Sequence, residues 1–119
     1  MSANYERWPV YEKATKVRSI VGALSRRGIR GMSSELDHLR RSSSSVMFNI
    51  AEGAGKFTKA DKINFYRIAL GSANECNSVL NVVIAEVGRQ QNLTDAKALT
   101  GEVIAMLIGL IKSIDERPD

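Results

Sequence analysis

Apolar residues recur along most of this chain at alternating spacings of three and four, the period of helices that each bury one stripe. Val10, Ala14, Val17, Val21 and Leu24 form the first stripe, which starts behind Pro9, a good first helical residue, and closes at Arg26-Arg27 before Gly28 and Gly31. A helix over about 9–27 is expected. A second, over about 34–54, opens at Ser33-Ser34, where Ser34 and Asp37 have capping-box spacing, and carries Leu36, Leu39, Val46, Met47 and Ile50. Its middle is Ser42-Ser43-Ser44-Ser45, which as low complexity would read as a linker. The stripe resumes in phase beyond it, with Ser43 in the slot between Leu39 and Val46. A linker would not keep that period, so the run is predicted to be helical, its small residues letting two backbones approach.

Thr58 and Asp61 repeat the capping-box spacing and open a third helix over about 58–90, in which Ile63, Tyr66, Leu70, Ala73, Asn77, Leu80, Ile84 and Val87 keep a heptad register. Beside that stripe runs a second set, Phe65, Ala69, Ser72, Cys76, Val79 and Val83, so this helix should meet more than one neighbour. Some thirty residues span about 45 Å, so one end is expected to project or to pack on another subunit. Asn92 is read as the stop, Thr94 as the next cap, and Leu99, Val103, Met106, Leu107, Leu110, Ile111 and Ile114 as the core face of a fourth helix over about 94–116. Four helices joined by short turns must pack antiparallel. The predicted fold is all-α: one up-down-up-down four-helix bundle occupying residues 1–119 as a single domain.

Composition narrows the setting. At 119 residues there is enough chain for one core. The single cysteine, Cys76, cannot form an internal disulfide, and Met1 to Arg7 lacks the apolar stretch of a secretion signal, so a reducing cytoplasm is the expected location. No window approaches the roughly 18 uncharged apolar residues of a membrane span. The net charge is +4, and its distribution says more than its total. Between Arg26 and Arg67 stand nine basic residues against four acidic ones, while the rest of the chain sums to −1. Arg26, Arg27, Arg30, Arg40, Arg41, Lys56, Lys59 and Lys62 are therefore the candidate contacts for a phosphate backbone. A solvated or intersubunit salt-bridging face would show the same excess.

Chemistry is sparse by comparison. One His and one Cys, His38 and Cys76, cannot build a Cys/His zinc site, and Glu35-x-x-His38 gives the di-iron spacing once where two are needed. Cys76 falls on an apolar helix face, where a cysteine is ordinarily a small buried hydrophobe. Gly53-Ala54-Gly55-Lys56 follows a helix and lacks Walker spacing. No catalytic residues, metal or cofactor are expected. Two polar clusters remain, Asn49 to Gly53 and Gly71 to Glu75. Gly71 weakens a helix interior by about 1 kcal/mol relative to Ala, which makes sense if a second helix crosses closely there. Asn49, Glu52, Gly53, Gly71, Ser72 and Glu75 are accordingly read as a structural polar clamp, its carboxylates and amide bonding across the crossing or to open helix ends. The competing reading is a hydrolase using Glu52 and Glu75 as paired carboxylates.

These residues also carry a family resemblance. Trp8-x-Val10-Tyr11-x-Lys13-Ala14 at the start, Arg40-Arg41 leading through the serines to Asn49-Ile50-Ala51-Glu52-Gly53, then Phe65, Ile68-Ala69, Gly71-Ser72-Ala73-x-Glu75 and a closing Met106-Leu107 cover nearly the whole chain. In these positions it resembles the bacterial four-helix-bundle proteins named after the intervening sequences of 23S ribosomal RNA. It departs from their commonest pattern at Lys56, where arginine often follows the Gly-x-Gly turn, and at Ser42-Ser43, where alanine is frequent.

The resemblance implies a homopentamer, and relatives among the accessory proteins of diversity-generating retroelements, which are basic and work with a reverse transcriptase and RNA. Five copies would carry about +20, enough to favour RNA or DNA by counterion release without sequence readout. The function expected is that of a non-enzymatic oligomeric protein associating with RNA or DNA. The alternative is a scaffold or accessory subunit, for a partner such as a reverse transcriptase, with no nucleic-acid contact of its own.

Overall fold

The computed structural model describes residues 3–118; residues 1, 2 and 119 of the predicted single unit lie outside the described residues. A short 3-10 turn at Asn4–Arg7 leads into four helices, α1 (Pro9–Arg27), α2 (Ser33–Ala54), α3 (Lys59–Val87) and α4 (Gln91–Asp115), with no strand among the described residues. Each helix packs on two neighbours, in the ring α1, α2, α3, α4 and back to α1. Cross-helix pairs fix the directions. Ser42 meets Cys76 while Ser45 meets Ser72, and Asn77 meets Lys97 while Lys59 meets Asp115, so α2, α3 and α4 alternate in sense. α1 follows suit, with Arg18 beside Ser44 and Lys13 beside Glu102.

Most predicted boundaries hold because the local chemistry is present. Pro9 occupies the first turn of α1, and Gly28, at φ 77°, ends that helix with its N–H on the Leu24 carbonyl. The Thr58 hydroxyl accepts the Asp61 N–H at 3.1 Å and starts α3. Three details differ. α2 begins at Ser33 with Met32 as its flanking residue and no side-chain cap, so the Ser34–Asp37 capping pair does not form. Asp37 instead receives Arg40 at 2.9 Å and Arg41 at 3.2 Å, a stronger demand on a carboxylate than a neutral amide. α3 ends at Val87, because Gly88 at φ 85° turns the chain before Asn92 is reached. α4 therefore starts at Gln91 and includes both Asn92 and Thr94; the Thr94 hydroxyl donates to the Gln91 carbonyl at 3.0 Å instead of capping.

The core forms three layers along the long axis. Val17, Val21, Leu24, Leu36, Leu39, Val79, Leu80, Val83 and Leu93 pack one end; Val10, Val46, Ile50, Ala69, Val103 and Leu107 fill the middle; Ile63, Tyr66 and Ile114, covered by Trp8, close the other end. The serine run is helical and lies between the first two layers, with Ser43 1% exposed and Ser42 5%. These hydroxyls are not orphaned. Ser42 donates to the His38 carbonyl at 3.0 Å and Ser43 to the Arg40 carbonyl at 3.2 Å, the back-bonding that lets small polar residues sit inside a helix bundle. Thr100 does the same from α4, to the Ala96 carbonyl at 2.7 Å. Between these groups remains a void of about 10 Å³, lined by Ser43, Val46, Ala73, Cys76, Thr100 and Val103 among others, room for about one water.

Gly53 is a tight point of the α2–α3 contact. A Cβ there would lie 2.5 Å from Cε1 of Tyr66 and 2.8 Å from Cδ1, and Tyr66 is 1% exposed with nowhere to retreat. Overpacking a core typically costs about 1–3 kcal/mol, against a gain of up to about 1 kcal/mol from replacing a helical glycine by alanine. With a wholly buried ring as the obstacle the steric side wins. Gly53→Ala is expected to lower stability by about 1–2 kcal/mol, read as a shift of the urea midpoint at unchanged slope.

Candidate nucleic-acid interface

The candidate cations fall into two groups at opposite ends of the molecule. Arg40 stands fourteen residues before Ala54, the end of α2 that Lys56 follows, about 21 Å at 1.5 Å per residue. At the lysine end the side chains are turned onto the protein. Lys62 Nζ donates to the Gly53 and Ala54 carbonyls at 3.3 and 3.2 Å, and Lys59 Nζ donates to the Asp115 and Arg117 carbonyls at 3.1 and 2.6 Å. These are the open ends of α2 and α4, where carbonyls lack helical partners and the helix dipole is negative. Lys56 lies 3.9 Å from Glu52 and 5.1 Å over the Phe65 ring.

At the other end the arginines differ among themselves. Arg40 and Arg41 share Asp37, whose carboxyl is held below its ordinary range first by the Arg40 hydrogen bond, against some desolvation, and then by the charges of both arginines. A depressed carboxyl keeps this pairing complete at neutral pH and loses it only as pH falls through the lowered value. Arg26 and Arg27, in the last turn of α1, and Arg30, in the following turn, are exposed and make no side-chain hydrogen bond or ion pair among the described residues. They are the free cations of the set.

The predicted polar clamp is divided as well. Ser72 bonds Ser45 at 2.8 Å, and Asn49 Nδ2 donates to the Ser45 carbonyl at 2.8 Å and hydroxyl at 3.1 Å, so Ser45 ties Asn49 to α3. Gly53 makes room for Tyr66. Glu52 and Glu75 do not join them. Glu52 reaches only Lys56 on its own side of the α2 end, and Glu75 bonds the exposed His38 at 3.1 Å. Because His38 and Glu52 are fourteen residues apart on α2, the two carboxylates stand about 21 Å apart, too far to act on one bond. Gly71 is exposed, with no atom within 4 Å of where a Cβ would stand, so no helix of the same chain crosses there.

Cys76 is buried, 3.1 Å from the Ser42 hydroxyl, and desolvation pushes its thiol up despite that hydrogen bond. It is not paired with His38, whose Nε2 is engaged by Glu75. Among the described residues no three His, Cys, Asp or Glu side chains gather as a metal site, and no helix is long and apolar enough to cross a membrane.

The helix-capping role of Lys59 and Lys62 escapes composition but leaves a trace. Both stand in the first turn of α3, where a cation opposes its own helix dipole, so each needs a partner elsewhere. The Tyr66–Gly53 contact and the Arg18–Ser44 bond at 2.9 Å leave none.

An all-α chain whose four helices pack in a ring, with Lys59 and Lys62 on open helix ends and Arg26, Arg27 and Arg30 exposed around the end of α1, defines the class. Residues 6–109 match the family model described as 23S rRNA-intervening sequence protein, and the chain belongs to that family. It is similar in fold to a crystal structure of a protein of unknown function from the S23 ribosomal protein family of Bacteroides thetaiotaomicron, at TM-score 0.75 and 24% identity, over 87% of this chain and 98% of that one. No curated protein matches the chain significantly.

Lys62→Met removes two hydrogen bonds to the end of α2 and is expected to cost about 0.5–1 kcal/mol. Urea unfolding measures it.

Proposed function

We propose that this family member is a non-enzymatic, self-associating protein that binds structured RNA or DNA by its phosphate backbone. The observation that carries the reading is the trio Arg26, Arg27 and Arg30, exposed, clustered and without an internal partner, beside an Arg40–Arg41 pair held by one carboxylate. Unpaired guanidiniums on a rim are suited to displacing counterions from a phosphate chain. Self-association, with the homopentamer of the resemblance as the favoured form, would repeat the rim and multiply its field.

A second reading is favoured by a different observation. Phe48, Phe57 and Ile108 are large apolar side chains at 68%, 98% and 53% exposure, which suits a scaffold that docks a protein such as a reverse transcriptase. The two are separated by titrating the purified protein with structured RNA and duplex DNA across about 50 to 200 mM salt. Steeply salt-dependent binding supports the first; no binding at the low end leaves the second.

Replacing Arg26, Arg27 and Arg30 together by Ala is expected to weaken binding and to reduce the salt slope by about 0.9 for each duplex phosphate that the variant leaves unneutralised. Lys62→Met leaves the slope unchanged. Asp37→Asn, which frees Arg40 and Arg41 and removes one negative charge, is expected to tighten binding about three- to tenfold at low salt. Fluorescence anisotropy reads all three.

A further inference from the structure

α3 packs on α2 along one side and on α4 along another, which leaves a third side turned outward. That side is unlike a solvated helix face. Its exposed positions from Asn64 to Val82 are Asn64, Arg67, Ile68, Gly71, Asn74, Glu75, Ser78, Asn81 and Val82, of which only Arg67 and Glu75 are charged. Ile68 and Val82 stand 44% and 51% exposed, and Phe48 of α2, one turn beyond Ser45 and its Ser72 partner and so at the level of Ile68, is 68% exposed. Asn, Ser and Gly are poor helix formers on a solvent face, whereas loss of charge around an apolar centre is the signature of an interface core.

The two charges identify the occupant. Arg67, Gly71 and Glu75 are spaced by four and so lie on one ridge of the helix, about 6 Å from one to the next. A second α3 crossing antiparallel over Gly71 places its Glu75 beside Arg67 and its Arg67 beside Glu75, with Asn64 opposite Ser78. Packing of such ridges is the commonest helix crossing, and a glycine at the crossing lets the axes close in. Glu75 is already held by His38 through Oε2, which leaves Oε1 for an arginine. A chain of net charge +4 repels its own copies over most of its surface, but this face sums to zero and is complementary to itself.

The geometry points to the outer face of α3, centred on Gly71, as the docking surface for the same face of a second copy of this chain. It rests on the self-association in the reading above and adds the contact and its symmetry. A two-fold contact gives an even number of copies, two alone or ten where it joins two rings of five.

Sedimentation equilibrium of the full chain tests it. A Cβ at Gly71 meets no atom within 4 Å, so Gly71→Leu is expected to keep the fold, which circular dichroism will verify, and to weaken the association at least tenfold. Arg67→Glu or Glu75→Arg alone places like charges together and is expected to do the same, and the double variant Arg67→Glu/Glu75→Arg restores the contact. Association untouched by Gly71→Leu, or a double variant no better than the singles, overturns this contact and leaves self-association standing. A wild-type chain that is monomeric at about 200 µM, a concentration at which even a contact of about 5 kcal/mol would register, overturns both.

Discussion

The structure depends on how closely α2 can approach α3. Large side chains along that seam would hold the helices apart; it is lined instead by Ser42, Ser45 and Gly53 on one side and Ala69, Ser72, Ala73 and Cys76 on the other. The close approach lets hydroxyls bridge the helices directly, Ser45 to Ser72 at 2.8 Å and Ser42 to Cys76 at 3.1 Å. It also brings Tyr66 against the bare backbone of Gly53, where its ring closes one end of the core beside Ile63 and Ile114. The polar atoms buried by this arrangement bond back to carbonyls of their own helix, so the seam does not carry the penalty of unpaired buried groups.

The same packing sorts the charges. Antiparallel helices bring the open end of α2 beside the start of α3, and the end of α4 beside the same turn, so cations placed at 59 and 62 fall onto carbonyls. At the opposite rim α2 begins without a side-chain cap, and nothing among the described residues answers Arg26, Arg27 or Arg30. A local excess of like charge therefore resolves into a structural half and an available half. Only the second half can serve a partner without loosening a helix end.

Helix number, order and core stripes were legible in the sequence because apolar periodicity is a direct image of burial. The serine run was legible for the same reason, since Leu39, Ser43, Val46 and Ile50 share one face whatever the polarity of the second. Helix ends were read less well. Gly88, whose conformation ends α3, looked like one more residue of a helix running to 90, and Ser34 offered a cap whose partner Asp37 was claimed by two arginines. Long-range contacts left the least trace. Spacing cannot show that Glu52 and Glu75 sit about 21 Å apart, or that Gly53 serves Tyr66 while Gly71 faces outward, because both glycines look alike along the chain.

The serine-rich seam is buried helix and holds the bundle together, and native-state hydrogen exchange at the amides of Ser43, Ser44, Ser45 and Val46 tests this most directly. If the seam is the foundation, these amides exchange only by global opening, at a free energy equal to that of unfolding, about 5–10 kcal/mol for a domain of this size. Exchange at the rate of an unprotected peptide, while Leu80 and Leu107 stay protected, would show a flexible linker between two half-helices and contradict a buried helical seam.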